Sequence, residues 1–219
     1  MGSGKLLYKI YYKIRFHFLA LRLTWNTFCT KVFLRAMGVS YGDKFRIRGK
    51  LFLDNRGTLE IGNNVTFNSA SWANPIGGID KIYIQISKNA RLKIGDFTGI
   101  SNTAITCQRD ISIGSYVMIG ADCKIYDTDF HPMNVQDRVG QYRDDTKTVS
   151  KPIVIEDGAF IGGGSYILKG SFIGKNAIIG AGSVVTGHVP EGEIWAGNPA
   201  RFIKKIPMPG GGATMPGVG

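Results

Sequence analysis

Aliphatic residues recur along this chain at intervals of six: Ile113, Ile119 and Ile125, then Ile155, Ile161, Ile167, Ile173, Ile179 and Val185. Small or polar residues follow each of them, as in the runs IGSYVM, IGADCK, IGGGSY, IGKNAI and IGAGSV. A helix returns its apolar face every ~3.6 residues and a half-buried strand every ~2. Six residues make one short strand and one turn, the advance of a β-solenoid whose hexads each point their first residue inward. Stacking is what buries such a core, and about three repeats are the minimum. Residues 51–112 carry the period in a weaker register. Ile61 and Phe67 are one hexad apart, Ile79 follows Ile61 by eighteen, and Ile94 and Ile100 form a further pair. Ile94 to Ile113 is nineteen, one residue out of phase, which predicts an insertion at a corner near residues 108–110.

Between Ile125 and Ile155 the pattern stops for thirty residues and resumes in phase. The intervening stretch is polar and charged, which predicts a loop over residues 127–152 extruded without disturbing the coil. Such loops carry function more often than the scaffold does. At its base lies DTDFHP, with His131. The chain has two other histidines: His17, in an aromatic helix, reads as structural, and His188, in TGHVP, as a surface residue.

The N-terminal fifty residues differ in kind. They hold eleven Lys/Arg against one acid, Asp43, a net of +10 out of the +11 of the whole chain, so the solenoid is nearly balanced. Lys5, Lys9 and Lys13 are four apart, while Leu6, Leu7, Ile10, Ile14 and Phe18 recur on another side, the pattern of an amphipathic helix or helix pair ending near Gly38. No uncharged stretch approaches the ~18 residues of a membrane span, and Lys9, Lys13 and Arg15 interrupt any signal-peptide core. Two compatible roles stand for residues 5–36: capping the solenoid or packing between subunits, and contact with the anionic cytoplasmic face of a membrane. Nucleic acid is not an expected partner, because no recognition fold accompanies the charge. The expected organisation is a basic, aromatic-rich helical segment over 1–49, a solenoid over 50–206, and a disordered Gly/Pro tail over 207–219. Cys29, Cys107 and Cys123 lack CxxC spacing and read as free buried thiols of a cytoplasmic protein.

The hexads, DTDFHP and the run IGAGSVVTGHVPEGEIWAGNPARFIKKI together resemble the hexapeptide-repeat acyltransferases, over roughly residues 50–206. The resemblance is to the maltose, galactoside and nodulation O-acetyltransferases and to relatives that act in polysaccharide biosynthesis. It implies a left-handed parallel β-helix, a homotrimer with the site between subunits, and acetyl-coenzyme A as donor, with no metal required. The family's catalytic His, followed by Pro, falls on His131. Gly163 and Ala181 fall on backbone that lines the pantetheine groove, Thr186 further along it, and Arg201 and Lys204 on contacts to the nucleotide phosphates. Ser101 and Asn102, in GISNTA, fall near the family's acceptor-binding Asn. Trp195 departs from the usual small aliphatic; it either stacks on the adenine or packs against the C-terminal segment.

Acetyl transfer to a sugar hydroxyl needs a group that takes the hydroxyl proton during attack, and a neutral imidazole contributes about 10²–10⁴-fold. A partner on the other ring nitrogen sets its tautomer, and Asp127 and Asp129 are the candidates by proximity. The expected function is O-acetylation of a sugar or cell-surface glycan precursor in the cytoplasm, peripherally at the inner membrane face. Its rivals are acyl transfer to the amine of an amino sugar nucleotide and a non-catalytic scaffold. A zinc hydratase on the same scaffold needs three clustered histidines, and the coil region offers only His131.

Overall fold

The computed structural model describes residues 3–75, 78, 80–139 and 144–207. One uninterrupted helix, α1 (Ser3–Ala36), opens the chain. It ends where Gly38 takes φ +67° and Val39 N–H donates to Leu34 carbonyl at 2.9 Å, a left-handed cap that suits glycine. Strands follow immediately. The first coil is β1 (Ser40–Tyr41), β2 (Arg46–Gly49) and β3 (Leu51–Asn55); the second is β4 (Thr58–Ile61), β5 (Thr66–Ser69) and β6 (Ile82–Ile86). The third is β7 (Arg91–Ile94), β8 (Gly99–Ser101) and β9 (Ala104–Cys107), and the fourth β10 (Asp110–Ile113), β11 (Met118–Ile119) and β12 (Lys124–Tyr126). Then come β13 (Ile153–Ile155), β14 (Phe160–Ile161) and β15 (Tyr166–Leu168), and β16 (Phe172–Ile173), β17 (Ile178–Ile179) and β18 (Val184–Val185). A partial coil, β19 (His188–Val189) and β20 (Glu193–Ala196), ends with β21 (Arg201–Lys205) folding back antiparallel on β20.

Each coil gives one strand to each of three parallel sheets, so the body is a three-sided prism. Sheet A starts with β1, sheet B with β2 and sheet C with β3. The hexad residues stack in register down each side: Ile61, Ile94, Ile113, Ile155 and Ile173 on A, Phe67, Ile100, Ile119, Ile161 and Ile179 on B. All are buried, and each large apolar side chain withdrawn from water contributes about 1.5–3 kcal/mol. The glycines after them answer to close coil-to-coil approach. A Cβ on Gly162 would lie 2.5 Å from Ala181 N, and one on Gly120 2.5 Å from Gly163 N.

Three expectations need correction. The prism starts at Ser40 rather than at residue 50, because Tyr41, Ile47 and Leu53 already pair with Ile61, Phe67 and Ile84 of the next coil. Ile79 lies outside the described residues, and the place eighteen residues after Ile61 is not the register, since the residue stacked on Ile61 in the next coil is Ile94, thirty-three residues on. The chain leaves the prism after β5 and rejoins it at β6, a second excursion that the hexad count hides. The slip before Ile113 is two events. Ile100 to Ile105, whose stacking partners are Ile119 and Ile125, is one residue short, and Ile105 to Ile113 is two residues long at positions 108–109.

Helix α1 meets the open end of the prism through one face of its second half. The Thr27 hydroxyl accepts from Ile47 N–H at 3.1 Å and donates to Ile47 carbonyl at 3.3 Å, and Leu34 is fully buried. Capping is therefore real, but it occupies only the C-terminal part of the helix.

Candidate active site

The loop between β12 and β13 leaves the prism at the corner between sheets C and A. Its neck is stapled: Thr128 and Ser150 form an antiparallel bridge, Asp129 N–H donates to Val149 carbonyl at 3.1 Å, and Lys151 N–H to Asp127 carbonyl at 2.9 Å. Further out, a turn of helix, α2 (Val135–Arg138), is capped by Asn134, and Arg138 donates to the carbonyls of Pro132 and Met133. These contacts fix the segment that bears His131.

Asp127 is not available to orient that histidine. Its carboxylate is fully buried and turns inward, accepting from the backbone N–H groups of Gln108 (2.7 Å), Arg109 (2.7 Å) and Asp110 (2.9 Å). It thereby satisfies the two extra residues of the coil below, which explains why an acid stands there. Burial pushes its pKa up, against the pull of those three donors.

Asp129 stands differently. Its Oδ1 pairs with Lys169 of the next coil at 3.0 Å, while Oδ2 is buried and has no hydrogen-bond partner. Phe130 holds φ +64°, rare for a large side chain, with its ring 5.1 Å from that of Tyr126. His131 follows, exposed, with no hydrogen bond or ion pair to any described residue. Strained backbone of this kind persists where the surroundings over-determine it, and it clusters at functional sites.

The acceptor candidates lie elsewhere. Ser101 and Asn102 sit at the corner between sheets B and C, separated by sheet C from the prism edge that bears His131. Ser101 accepts from Asn68 Nδ2 at 3.2 Å. Asn102 takes φ +34° and is fully buried, with neither Oδ1 nor Nδ2 partnered. Ser101 is only 9% exposed. The excursion between β5 and β6 departs from this same corner, and a Cβ on Gly78 would lie 2.5 Å from the Asp122 carboxyl carbon. The hexad count missed this loop. Its signal was the Gly- and Pro-containing, polar run NSASWANPIGGID.

Gly163 and Ala181, eighteen residues apart, stack at the B–C corner in adjacent coils, and Ala181 is exposed. Thr186 lies one side further round, between β18 and β19, at the C–A corner with His131 and Lys169, so within one chain it does not continue the Gly163–Ala181 line. Arg201 and Lys204 are exposed on β21. Trp195, in β20, is paired with Phe202 of β21 and stacked over Ile179, is partly buried against the core, and donates from Nε1 to Glu193 at 2.9 Å. Of its two roles, packing against the C-terminal segment is the one it fills.

The cysteines are all unpaired, but only two are buried. Cys29 is exposed on α1. Burial raises the Cys123 thiol to about 11, and burial with the nearby Asp127 raises Cys107 to about 12, so neither is a nucleophile at neutral pH. Among the described residues no group of three or more His, Cys, Asp or Glu converges as a metal site.

Comparison with known proteins agrees with the fold. The family described as bacterial transferase hexapeptide (six repeats) matches residues 152–187. A hexapeptide-repeat-containing acetyltransferase from Vibrio cholerae is 32% identical, with 58% of this chain and 68% of that chain covered and a TM-score of 0.51. Its complex with acetyl-coenzyme A superimposes equally well, at 33% identity, with 58% and 66% covered and a TM-score of 0.51. AntD, an N-acyltransferase from Bacillus cereus solved with dTDP and coenzyme A, shares the fold at 22% identity, with 80% and 88% covered and a TM-score of 0.64. The three-sided coil, its hexads and these relatives define a class, the left-handed β-helix acyltransferases. The chain belongs to that hexapeptide-repeat family and is an enzyme of acyl or acetyl transfer.

Proposed function

We propose that this enzyme transfers the acetyl group of acetyl-coenzyme A directly to a hydroxyl of a sugar or cell-surface glycan precursor, with His131 as general base. The observation that carries the reading is the DTDFHP turn: a stapled neck and a left-handed Phe130 present an exposed imidazole with no hydrogen bond to any described residue, two positions after Asp129, whose Oδ2 is unpartnered among the described residues. His131 takes the acceptor's hydroxyl proton as the oxygen attacks the thioester carbonyl. The tetrahedral oxyanion collapses with cleavage of the C–S bond, and the imidazolium returns the proton to the departing thiolate. Asp129 is the orienting residue in this account, and Asp127 is not.

His131 and the Gly163–Ala181 corner lie on different edges of one prism, which supports a trimer in which one subunit supplies His131 and its neighbour the pantetheine groove. Arg201 and Lys204, exposed and uncommitted to any carboxylate, are suited to the nucleotide phosphates through charge-assisted hydrogen bonds. The unpaired thiols support a reducing, cytoplasmic setting. The test is a panel of saccharides and amino sugar nucleotides with acetyl-coenzyme A and analysis of the product linkage. An alkali-labile ester is the expected product; an amide would move the acceptor to an amine, and no product with any acceptor alongside no coenzyme A binding would leave the scaffold reading.

A further inference from the structure

Helix α1 carries two apolar stripes, and the prism uses one. Leu19, Leu23, Thr27, Thr30 and Leu34 make up the face turned to the body, each at least half-buried or nearly so. The opposite face holds Leu7, Ile10, Ile14, Phe18, Leu21, Trp25, Phe28 and Val32, spaced three or four apart throughout. Every one of these eight is exposed, from 46% at Ile10 to 71% at Leu21. At ~1.5 Å per residue the stripe runs about 38 Å. Isolated exposed apolar residues are ordinary, but a continuous row of this length marks an interaction surface.

We infer that this stripe seats the enzyme on an anionic phospholipid surface. The charge of the helix selects that occupant. Its residues include seven cations, Lys5, Lys9, Lys13, Arg15, Arg22, Lys31 and Arg35, and no acid. On a helical wheel Lys13, Lys31 and Arg35 flank one side of the stripe and Arg15 and Arg22 the other; Arg22 lies over the Trp72 ring at 5.0 Å and Lys31 and Arg35 over the Tyr41 ring at 5.8 Å, so Lys13 and Arg15 are the flanking heads placed to reach a headgroup layer while their stems lie along apolar surface. Each cation near such a layer raises binding about fivefold. A second copy of the same helix fits the stripe badly, since it brings like charges together along both flanks with no acid to offset them. The helix is not long and apolar enough to cross a membrane, so it lies in the interface plane, the mode of a basic amphipathic helix. Trp25, within the stripe, is of the type that settles at headgroup depth. The face that caps the prism and the face that meets lipid are different, so both can be engaged at once, and an acceptor held in the membrane would be brought to the site.

The test is co-sedimentation of the full chain with phosphatidylglycerol/phosphatidylcholine vesicles and with phosphatidylcholine alone, at low and high salt, beside the double variant Ile14→Glu/Leu21→Glu. Both positions are exposed, so the variant keeps its fold, which circular dichroism checks. The account expects binding to anionic vesicles at least tenfold tighter than to neutral ones, weakened by salt, and reduced tenfold or more in the variant. Absence of binding to anionic vesicles, or binding that the variant leaves unchanged, overturns it. So does sedimentation velocity showing that the stripe mediates concentration-dependent self-association, abolished by the variant, in place of lipid binding. The inference does not rest on the proposed acceptor. Acetyl transfer to a soluble sugar is measured without vesicles, so its failure leaves the lipid result standing, and the reverse.

Discussion

Replacing Asp127 by Asn separates a structural carboxylate from a catalytic one. The side chain is fully buried and accepts three backbone N–H groups, at 2.7, 2.7 and 2.9 Å, shared between its two oxygens. An amide of the same shape keeps one oxygen. Placed over Arg109 and Asp110 it still accepts twice, but its NH2 then faces the Gln108 N–H, donor against donor. Leaving one buried donor unsatisfied costs about 1–3 kcal/mol. For a chain of this size each kcal/mol lowers Tm by about 2–4 °C, so the expected drop is roughly 2–12 °C. Thermal denaturation by circular dichroism at matched protein concentration reads it, and acetyl transfer is measured below the variant's transition. The account expects a lowered Tm with kcat changed less than about threefold. An unchanged Tm with kcat reduced 10²-fold or more would refute the reasoning and return Asp127 to the role of orienting the base.

His131→Ala removes an exposed side chain with no hydrogen bond to any described residue, so transfer should fall about 10²–10⁴-fold with Tm unmoved, read by steady-state kinetics beside melting. Mixing His131→Ala chains with Gly163→Trp chains before assembly should restore part of the transfer rate if the site spans two subunits, and none if each chain works alone. Arg201→Ala and Lys204→Ala should each raise KM for acetyl-coenzyme A about tenfold or more, since a charge-assisted hydrogen bond contributes ~1.5–3 kcal/mol, with kcat near wild type. A disulfide reagent at pH 8 should titrate one thiol per native chain rapidly, Cys29, and all three only after denaturation. The same raised thiols make the folded chain hold protons that an unfolded cysteine, with a pKa of ~8.5, releases. Stability is therefore intact below about pH 8.5 and is lost as pH rises toward the folded values of about 11 and 12, which pH-dependent melting of Cys123→Ala beside wild type checks.

The three coils from Ile113 to Val185 were readable because their strands and corners have constant length, interrupted only by a loop that rejoins in phase. The earlier coils were not. Their corners vary by one or two residues, and the excursion between β5 and β6 shifts the third side of the prism from position 73 to Ile84. Tyr41, Ile47 and Leu53 keep six-residue spacing, but the cations Lys44, Arg46, Arg48 and Lys50 among them tie this coil to the basic segment by composition. Charge marked the surface of the first coil and not a domain boundary. At the site, DTDFHP identified the turn correctly, whereas proximity alone could not tell which of two acids turns inward. That depended on two extra residues in the neighbouring coil needing acceptors. Thr186 was decidable by counting: Ala181 is a full circuit of eighteen from Gly163, and five further residues reach the next corner. Trp195 and the two faces of α1 required the packing itself.

The central claim is acetyl transfer with His131 as its base. The measurement that tests it most directly is release of free thiol from acetyl-coenzyme A by the purified chain with and without a saccharide acceptor, wild type beside His131→Ala. The account predicts acceptor-dependent release that falls at least 10²-fold in a variant with unchanged Tm. Release that the variant sustains at the wild-type rate would contradict it.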